Sequence, residues 1–393
     1  MKVLFEKQIN ENISVLDKAW KEAETFVLIP DRGGVTADWV EERSRLLPDQ
    51  YREGHFVLLT SGSTGFPKLI VGNRERSENL ARLLHKVQLS EPVLETVLVL
   101  PLTYCYAFVN QWLWSRVFSR RLVQTEGFRS PDELSKKLAA AQSAMLCLVG
   151  AQLPFFRKQL CDRTFPGFIR LHFAGGPFPQ DDLEFVRALF PNAGIFNNYG
   201  CAEAMPRLTI RCAEDSPVAY NVGKPLDGVR LRTGEQGRIE FLSPFGTVAQ
   251  VDGDGFRAVH PDTWIPSGDL GYEGPDGCWY LQGRANEVFK RFGEKISLPQ
   301  LLSSVREIWP GQGAFYRGED RSGEQGHVLV VSPEPSDAQV RALLMMFRQK
   351  YPRTHWPLRI ESTGALPLLA NQKVDVLALA SMEEKKLHWD QRV

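Results

Sequence analysis

Paired cysteines are missing from this sequence. The six present (Cys105, Cys147, Cys161, Cys201, Cys212 and Cys278) include no Cys-x-x-Cys pair, and the seven histidines are scattered. They do not space like zinc ligands and read as reduced packing residues of a cytoplasmic protein. Long apolar runs are missing too: no stretch reaches 18 residues, so no membrane span is expected. A charge interrupts the first apolar run, Met1-Lys-Val-Leu-Phe-Glu-Lys-Gln, which argues against a signal peptide. Net charge is absent, with Lys plus Arg and Asp plus Glu at 47 each, so bulk attraction to nucleic acid or an anionic membrane is not expected. No repeat or low-complexity tract stands out. What is present is ordinary globular composition, 43% hydrophobic and 24% charged, over 393 residues. That length suits two or three domains at roughly 150 residues each.

The most informative string is Thr60-Ser-Gly-Ser-Thr-Gly-Phe-Pro-Lys68. It follows an apolar run, Phe56 to Leu59, that reads as a buried strand. It precedes a helix-period stretch with Leu80, Leu83, Leu84 and Val87 on one face. The expectation is therefore a loop between a strand and a helix. Gly62 and Gly65 let the backbone approach a ligand, Ser61, Ser63 and Thr64 offer hydroxyls, and Lys68 adds positive charge. Such a loop can hold a polyphosphate. It is not a Walker A motif, because Phe66 and Pro67 separate Gly65 from Lys68.

From about Phe56 to Ala204, strand-like runs (Thr96 to Leu100, Ala144 to Val149, Ile169 to Phe173, Gly194 to Asn197) alternate with helical patterns (Ser130 to Ala141, Gln180 to Phe190). That alternation predicts an α/β domain with much parallel sheet. From about 218 to 282, short β-like runs broken by Gly and Asp predict a β-rich subdomain, a meander or small barrel. After Gly283 the pattern predicts a compact α+β domain: helix 298–309, strands 314–317 and 327–331, helix 337–350 and strand 358–362. The expected division is 1–283 and 284–393.

Four further strings carry chemistry. Tyr199-Gly-Cys-Ala-Glu203 places a flat ring and a carboxylate at a strand end; the ring suits a purine face and the carboxylate a hard cation. Phe173-Ala-Gly-Gly-Pro177 offers close backbone approach at Gly175 and Gly176. Asp269, in Ser267-Gly-Asp269, offers two acceptor oxygens, and Arg284 follows fifteen residues later. Toward the end of the chain, Leu366-Pro-Leu-Leu-Ala-Asn-Gln-Lys373 carries a lysine 83 residues beyond Lys290.

Taken in order, these strings resemble the motifs of the adenylate-forming superfamily, which holds acyl- and aryl-CoA ligases, peptide-synthetase adenylation domains and luciferases. The resemblance covers about residues 56 to 380. It implies a large N-terminal α/β domain and a small mobile C-terminal α+β domain. It implies ATP and Mg²⁺: the loop from Thr60 to Lys68 on the β- and γ-phosphates, and Gly175, Gly176, Asn198, Tyr199 and Gly200 around the adenosine. It further implies Glu203 on the metal, and Asp269 with Arg284 on the ribose. Lys373 would bridge the carboxylate and the α-phosphate. Asn286 matches the hinge, and Lys290 with Gly293 the segment that nears a thiol acceptor after the small domain rotates. Tyr104, Tyr106, Phe108, Cys201 and Ala202 match the acid pocket.

Departures from the family pattern are local. Ala202 stands where the family has Thr, Gln372 where it has Gly, and Tyr104 where it often has His. The pocket segment around Leu100 to Val109 lacks the acidic residue that pairs with an amino-acid ammonium, so the expected acid is an aryl or medium acyl acid without an α-amino group. The stretch before Thr60 is shorter than is typical, which leads to the expectation of bare apolar sheet covered by a second subunit, a homodimer. Two acceptors stay open, CoA and the pantetheine of a carrier protein. An inactive binding protein of the same fold is the remaining alternative.

Overall fold

The computed structural model describes residues 1–31, 35–61, 67–218, 220–368 and 374–391. The chain divides into two compact units, Met1–Ser267 with Gly271–Leu281, and Gly268–Leu270 with Gln282–Val393. The division thus falls at Leu281/Gln282, beside the expected 283/284, and three residues of a long strand are assigned across it.

The first unit begins with a six-stranded sheet. Lys2–Phe5 and Phe26–Ile29 run parallel, and Phe26–Ile29 runs parallel to His55–Ser61. That strand turns back on Pro67–Asn73, which pairs antiparallel with Ala249–Asp252 of a hairpin completed by Gly255–Ala258. All four residues of Phe26–Ile29 are buried because the sheet is covered on both faces. Helices Glu6–Glu11 and Ser14–Lys21 bring Ile9, Leu16 and Ala19 against Phe26, Leu28 and Phe56. On the opposite face Val40, Leu47 and Tyr51 pack on Val27, Ile29, Val57, Leu69 and Val71. The expectation of bare apolar sheet is therefore corrected: residues 2–51 build two strands and the cover for both faces. The physical ground offered for a second subunit falls away with it.

The second sheet has eleven strands. Five run parallel in the order Arg121–Gln124, Glu95–Leu98, Ala144–Val149, Phe168–Ala174 and Gly194–Tyr199. Antiparallel strands then continue the sheet: Thr209–Cys212 pairs with Gly194–Tyr199, and Asn221–Pro225 follows. The β-rich stretch does not close into a barrel of its own. Its strands are shared out, Ala249–Ala258 to the first sheet and the rest to the edge of the second.

The second unit is a four-stranded sheet in the order Gln312–Glu319, Gln325–Ser332, Arg359–Ser362 and Lys386–Asp390. Helices Leu298–Ile308 and Asp337–Lys350 cover one face, with Leu301, Val305, Leu343 and Phe347 against Phe315, Leu329, Val331 and Ile360. Val288–Arg291 and Glu294–Ser297 form a separate hairpin. Among the described residues, no helix is long and apolar enough to cross a membrane.

Candidate active site

The two ends of the string from Thr60 to Lys68 lie on paired strands. Thr60 pairs with Lys68 and Ser61 with Pro67 across two antiparallel strands. The expected strand-to-helix loop is corrected, since the helix begins only at Arg74, where Asn73 caps it by accepting from the Arg76 N–H at 3.0 Å. The strand and helix signals in the sequence do not show that Pro67–Asn73 is a strand, folded back on His55–Ser61 and joined on its other edge by the distant Ala249–Asp252. Lys68 is thus held on a sheet, its Nζ 4.0 Å from Asp252 Oδ2, both side chains partly buried. Gly62, Ser63, Thr64 and Gly65 lie outside the described residues, as does the side chain of Ser61.

The strand Gly194–Tyr199 delivers the next group. Tyr199 is 3% exposed; its hydroxyl donates to Ser267 Oγ at 3.2 Å, which in turn donates to the Ile239 carbonyl at 3.0 Å. After Tyr199 the chain makes a tight excursion and returns, the Leu208 N–H donating to the Tyr199 carbonyl at 2.9 Å. Gly200 is required there, since a Cβ would lie 2.0 Å from the Pro206 carbonyl oxygen. Glu203 sits in the short turn Ala202–Ala204 at the tip of this excursion. Thr247 ties that turn to the strand that bears Lys68: its N–H donates to the Glu203 carbonyl at 2.8 Å and its hydroxyl to the Val71 carbonyl at 2.8 Å.

Glu203 is half-buried, and among the described residues its carboxylate has no ion pair or hydrogen bond. No cluster of three or more His, Cys, Asp or Glu side chains that could hold a metal exists among the described residues. One available carboxylate fits Mg²⁺ that arrives on a nucleotide, because Mg²⁺ takes one or two carboxylates and fills its shell with phosphate oxygens and water. At the end of Phe168–Ala174, Gly175 is exposed with φ +83°, and Gly176 would accept a Cβ without contact.

The five expected pocket residues separate. Tyr104 and Tyr106 are partly accessible, as are Cys201 and Ala202. The Tyr106 hydroxyl donates to the His172 carbonyl at 2.8 Å. Phe108 is fully buried in an aromatic core, 4.8 Å from both Phe56 and Trp112 by ring centroids. It packs the domain interior and offers no surface to a ligand. Its segment Phe108–Leu113 is a π-helical turn, which sequence periodicity does not reveal.

In the second unit Asp269 and Arg284 are brought together, Nε to Oδ1 at 3.1 Å. The Asp269 side chain is 10% exposed and that of Arg284 47%. Gly268 has φ +83°, and a Cβ there would stand 3.4 Å from an Arg284 guanidinium nitrogen. Lys290 is exposed on its hairpin and pairs directly across from exposed Lys295. Arg291 points the other way, 2% exposed and 3.2 Å from Asp320. The left-handed turn at Phe292 and Gly293, φ +49° and +82°, joins the strands. Lys373 and the side chain of Asn286 lie outside the described residues.

With this geometry in hand, the comparison with known families is direct. The model of the family described as AMP-binding enzyme matches residues 1–238, more than half of the chain. The chain belongs to the AMP-binding enzyme family. Among curated relatives, 2-succinylbenzoate–CoA ligase of Oceanobacillus iheyensis is 24% identical over 335 residues, covering 81% of this chain and 68% of the relative. D-alanine–D-alanyl carrier protein ligase of Staphylococcus epidermidis is 22% identical, covering 83% and 71%. The structure of Bacillus subtilis O-succinylbenzoate coenzyme A synthetase (MenE) in complex with AMP superposes with TM-score 0.72 at 17% identity, covering 98% of this chain and 84% of that one. At that identity the likeness speaks for the fold.

Within this AMP-binding fold, two charged groups near the Glu203 turn escaped sequence reasoning. Asp252 is the partner of Lys68; its stretch reads as β-like in the sequence, but nothing local shows which lysine it meets. Arg207 is 1% exposed, its Nη2 donating to Asn110 Oδ1 at 2.6 Å, and burial pulls its pKa down to about 10. Beside it, burial holds Tyr106 well above its usual pKa and His172 well below.

Proposed function

We propose that this chain is an ATP-dependent acid–thiol ligase. A carboxylate oxygen attacks the α-phosphorus of ATP, the bond to the β-phosphate oxygen breaks, and pyrophosphate leaves. A thiol sulfur then attacks the carbonyl carbon of the acyl-adenylate and AMP departs. The observation that carries the reading is the Glu203 turn: an uncommitted carboxylate, tied through Thr247 to the strand that bears Lys68.

Each residue has a physical task in this scheme. Lys68 and the Thr60–Gly65 string hold the outer phosphates, with Asp252 keeping the Lys68 ammonium in place. Glu203 would hold Mg²⁺, which lowers the charge on departing pyrophosphate. Tyr199 fixes one side of the adenosine site along with Asn198 and Gly200. Asp269, already oriented by Arg284, accepts from the ribose hydroxyls. Two like charges about 4 Å apart, the carboxylate and the α-phosphate, repel by about 4 kcal/mol at an effective dielectric of 20. Lys373 is assigned to cancel that repulsion, and Lys290 to the thioester step after movement about Asn286.

The acid is proposed to lack an α-amino group. The relatives include both CoA ligases and a D-alanyl carrier protein ligase, so family membership does not decide this. The charge beside Tyr106 favours it: Arg207 is a fixed cation where an ammonium would need an anion. For the acceptor, Lys290 and Lys295 face each other across the hairpin at an electrostatic cost. An anionic partner, the phosphates of CoA or an acidic carrier surface, would relieve it.

The deciding experiment is acid-dependent exchange of labelled pyrophosphate into ATP with Mg²⁺, across benzoates, cinnamates and fatty acids of four to twelve carbons, with diacids alongside. Exchange that depends on one class of acid supports the ligase. Tight ATP binding without exchange on any acid would leave the inactive binding protein as the better account. CoA and carrier proteins competing as acceptors would then separate the two thioester routes.

A further inference from the structure

Arg207 is more deeply buried than any role assigned above requires. It lies on the return limb of the Glu203 excursion. Nη2 bonds Asn110, while Nη1 has no acceptor. Its guanidinium carbon stands 5.6 Å from the centre of the Tyr106 ring. Among the described residues no carboxylate forms an ion pair with it. The titratable groups that act on it are Tyr106, Cys147 and Cys105, and burial keeps all three neutral. A guanidinium does not give up its proton in a protein. The result is a buried cation with donors to spare and no counter-charge, an arrangement proteins avoid unless something fills it.

The neighbours are unfilled too. His172 has no partner for either ring nitrogen, and the Asn198 amide is buried without a hydrogen bond of normal geometry. Cys147 sits opposite His172, and His172 opposite Phe196, two residues before Asn198. Alternation along the strands therefore puts Cys147, His172 and Asn198 on one face of the sheet. The Tyr106 hydroxyl faces Cys147 and Asn198, and Tyr106 as a whole residue is partly accessible. Buried donors thus converge beside residues that are open to a ligand.

We propose that this cluster is an anion subsite within the acid pocket, so that the acid is a dicarboxylic acid whose second carboxylate pairs with Arg207. The inference rests on the ligase reading and deepens it. Two parallel N–H bonds from a guanidinium match a carboxylate, and its remaining lone pairs can accept from neutral His172 and from the Asn198 amide.

The test uses the whole protein with a non-hydrolysable ATP analogue and Mg²⁺, titrated calorimetrically with linear and aromatic diacids and the monoacids matched to them in length. At least one diacid is expected to bind tenfold or more tighter than its monoacid. Arg207→Met should erase that preference while raising the melting temperature, because it removes an uncompensated charge; Arg207→Lys should keep the preference. Diacids that bind no better than monoacids, or a preference that survives Arg207→Met, overturn the proposal. If Arg207→Met does not fold, the wild-type comparison and the Lys variant decide. Exchange confined to monoacids would sink the subsite and leave the ligase standing. Selective diacid binding without exchange would do the reverse.

Discussion

Replacing Gly200 with alanine tests the tight turn on which the site depends. The added Cβ would meet the Pro206 carbonyl oxygen at 2.0 Å, its carbon at 2.9 Å and the Arg207 Cα at 3.0 Å. All three are backbone atoms, so no side chain can swing aside. An ordinary carbon–oxygen contact is more than 3 Å, and the two limbs must therefore part by about 1 Å or more. Overpacking of this kind costs about 1–3 kcal/mol. For a domain of this order the melting temperature falls by about 2–4 °C per kcal/mol, so a drop of about 2–12 °C is expected. Glu203 lies between the limbs and would move with them. A displacement of about 1 Å can lower a rate about 100-fold. The measurements are thermal unfolding and acid-dependent pyrophosphate exchange, with Gly253→Ala as the control, since a Cβ there meets nothing within 4 Å. Gly200→Ala with wild-type melting and wild-type exchange would refute the geometry of the turn.

Three other outcomes are expected. Glu203→Gln should cut exchange about 100-fold or more and raise the Mg²⁺ concentration needed for half-maximal rate; an unchanged Mg²⁺ titration would remove Glu203 from the metal site. Lys373→Ala should abolish exchange yet spare thioester formation from a premade adenylate, and equal loss in both steps would end that division of labour. His327, fully buried, has its pKa lowered to about 3, first by burial and then by Arg291. The unfolded chain takes up its proton near pH 6.5 and the folded chain does not, so stability falls as pH drops below about 6.5 and is unaffected above it. At pH 5 the loss is 1.5 units, about 2 kcal/mol. His327→Leu should flatten the melting temperature between pH 7.5 and 5 by that amount, and equal slopes for both proteins would show that another group governs it.

Much of the fold was legible because its signals are local. Ala144 to Val149 is an unbroken apolar run between helical patterns, and it is a central strand as expected, paired along its length with Phe168–Ala174 and over Ala144 to Leu146 with Glu95–Leu98. Asp337–Lys350 begins at Ser336, whose side chain caps the Gln339 N–H, and it too was visible. What escaped depends on contacts distant in sequence. Pro67–Asn73 becomes a strand by folding back on His55–Ser61 and by pairing on its other edge with Ala249–Asp252, and that second partner is distant in sequence. Phe108 could line a pocket or fill a core on its own evidence of spacing, and Trp20 and Phe56 decide for the core. A lone arginine in Met-Pro-Arg-Leu reads as surface charge until the return of the chain toward Tyr199 buries it.

The charged groups given roles above fall into two energetic kinds, and the difference bears on what each is for. Glu203 and Arg284 keep contact with solvent, and Arg284 shares its charge with Asp269. Holding such groups costs little before a ligand arrives, so they can serve any nucleotide-activating member of the family. Arg207 is different, because desolvating an unpaired guanidinium costs several kcal/mol in every folded molecule, bound or free. A buried cation of that kind has no part in holding the phosphates, a task proposed for Lys68 and its hairpin. Its cost is offset only when an anion enters beside it. On the proposed reading, the group that is most expensive to keep in the empty protein discriminates among acids, and the inexpensive groups perform the chemistry common to all of them.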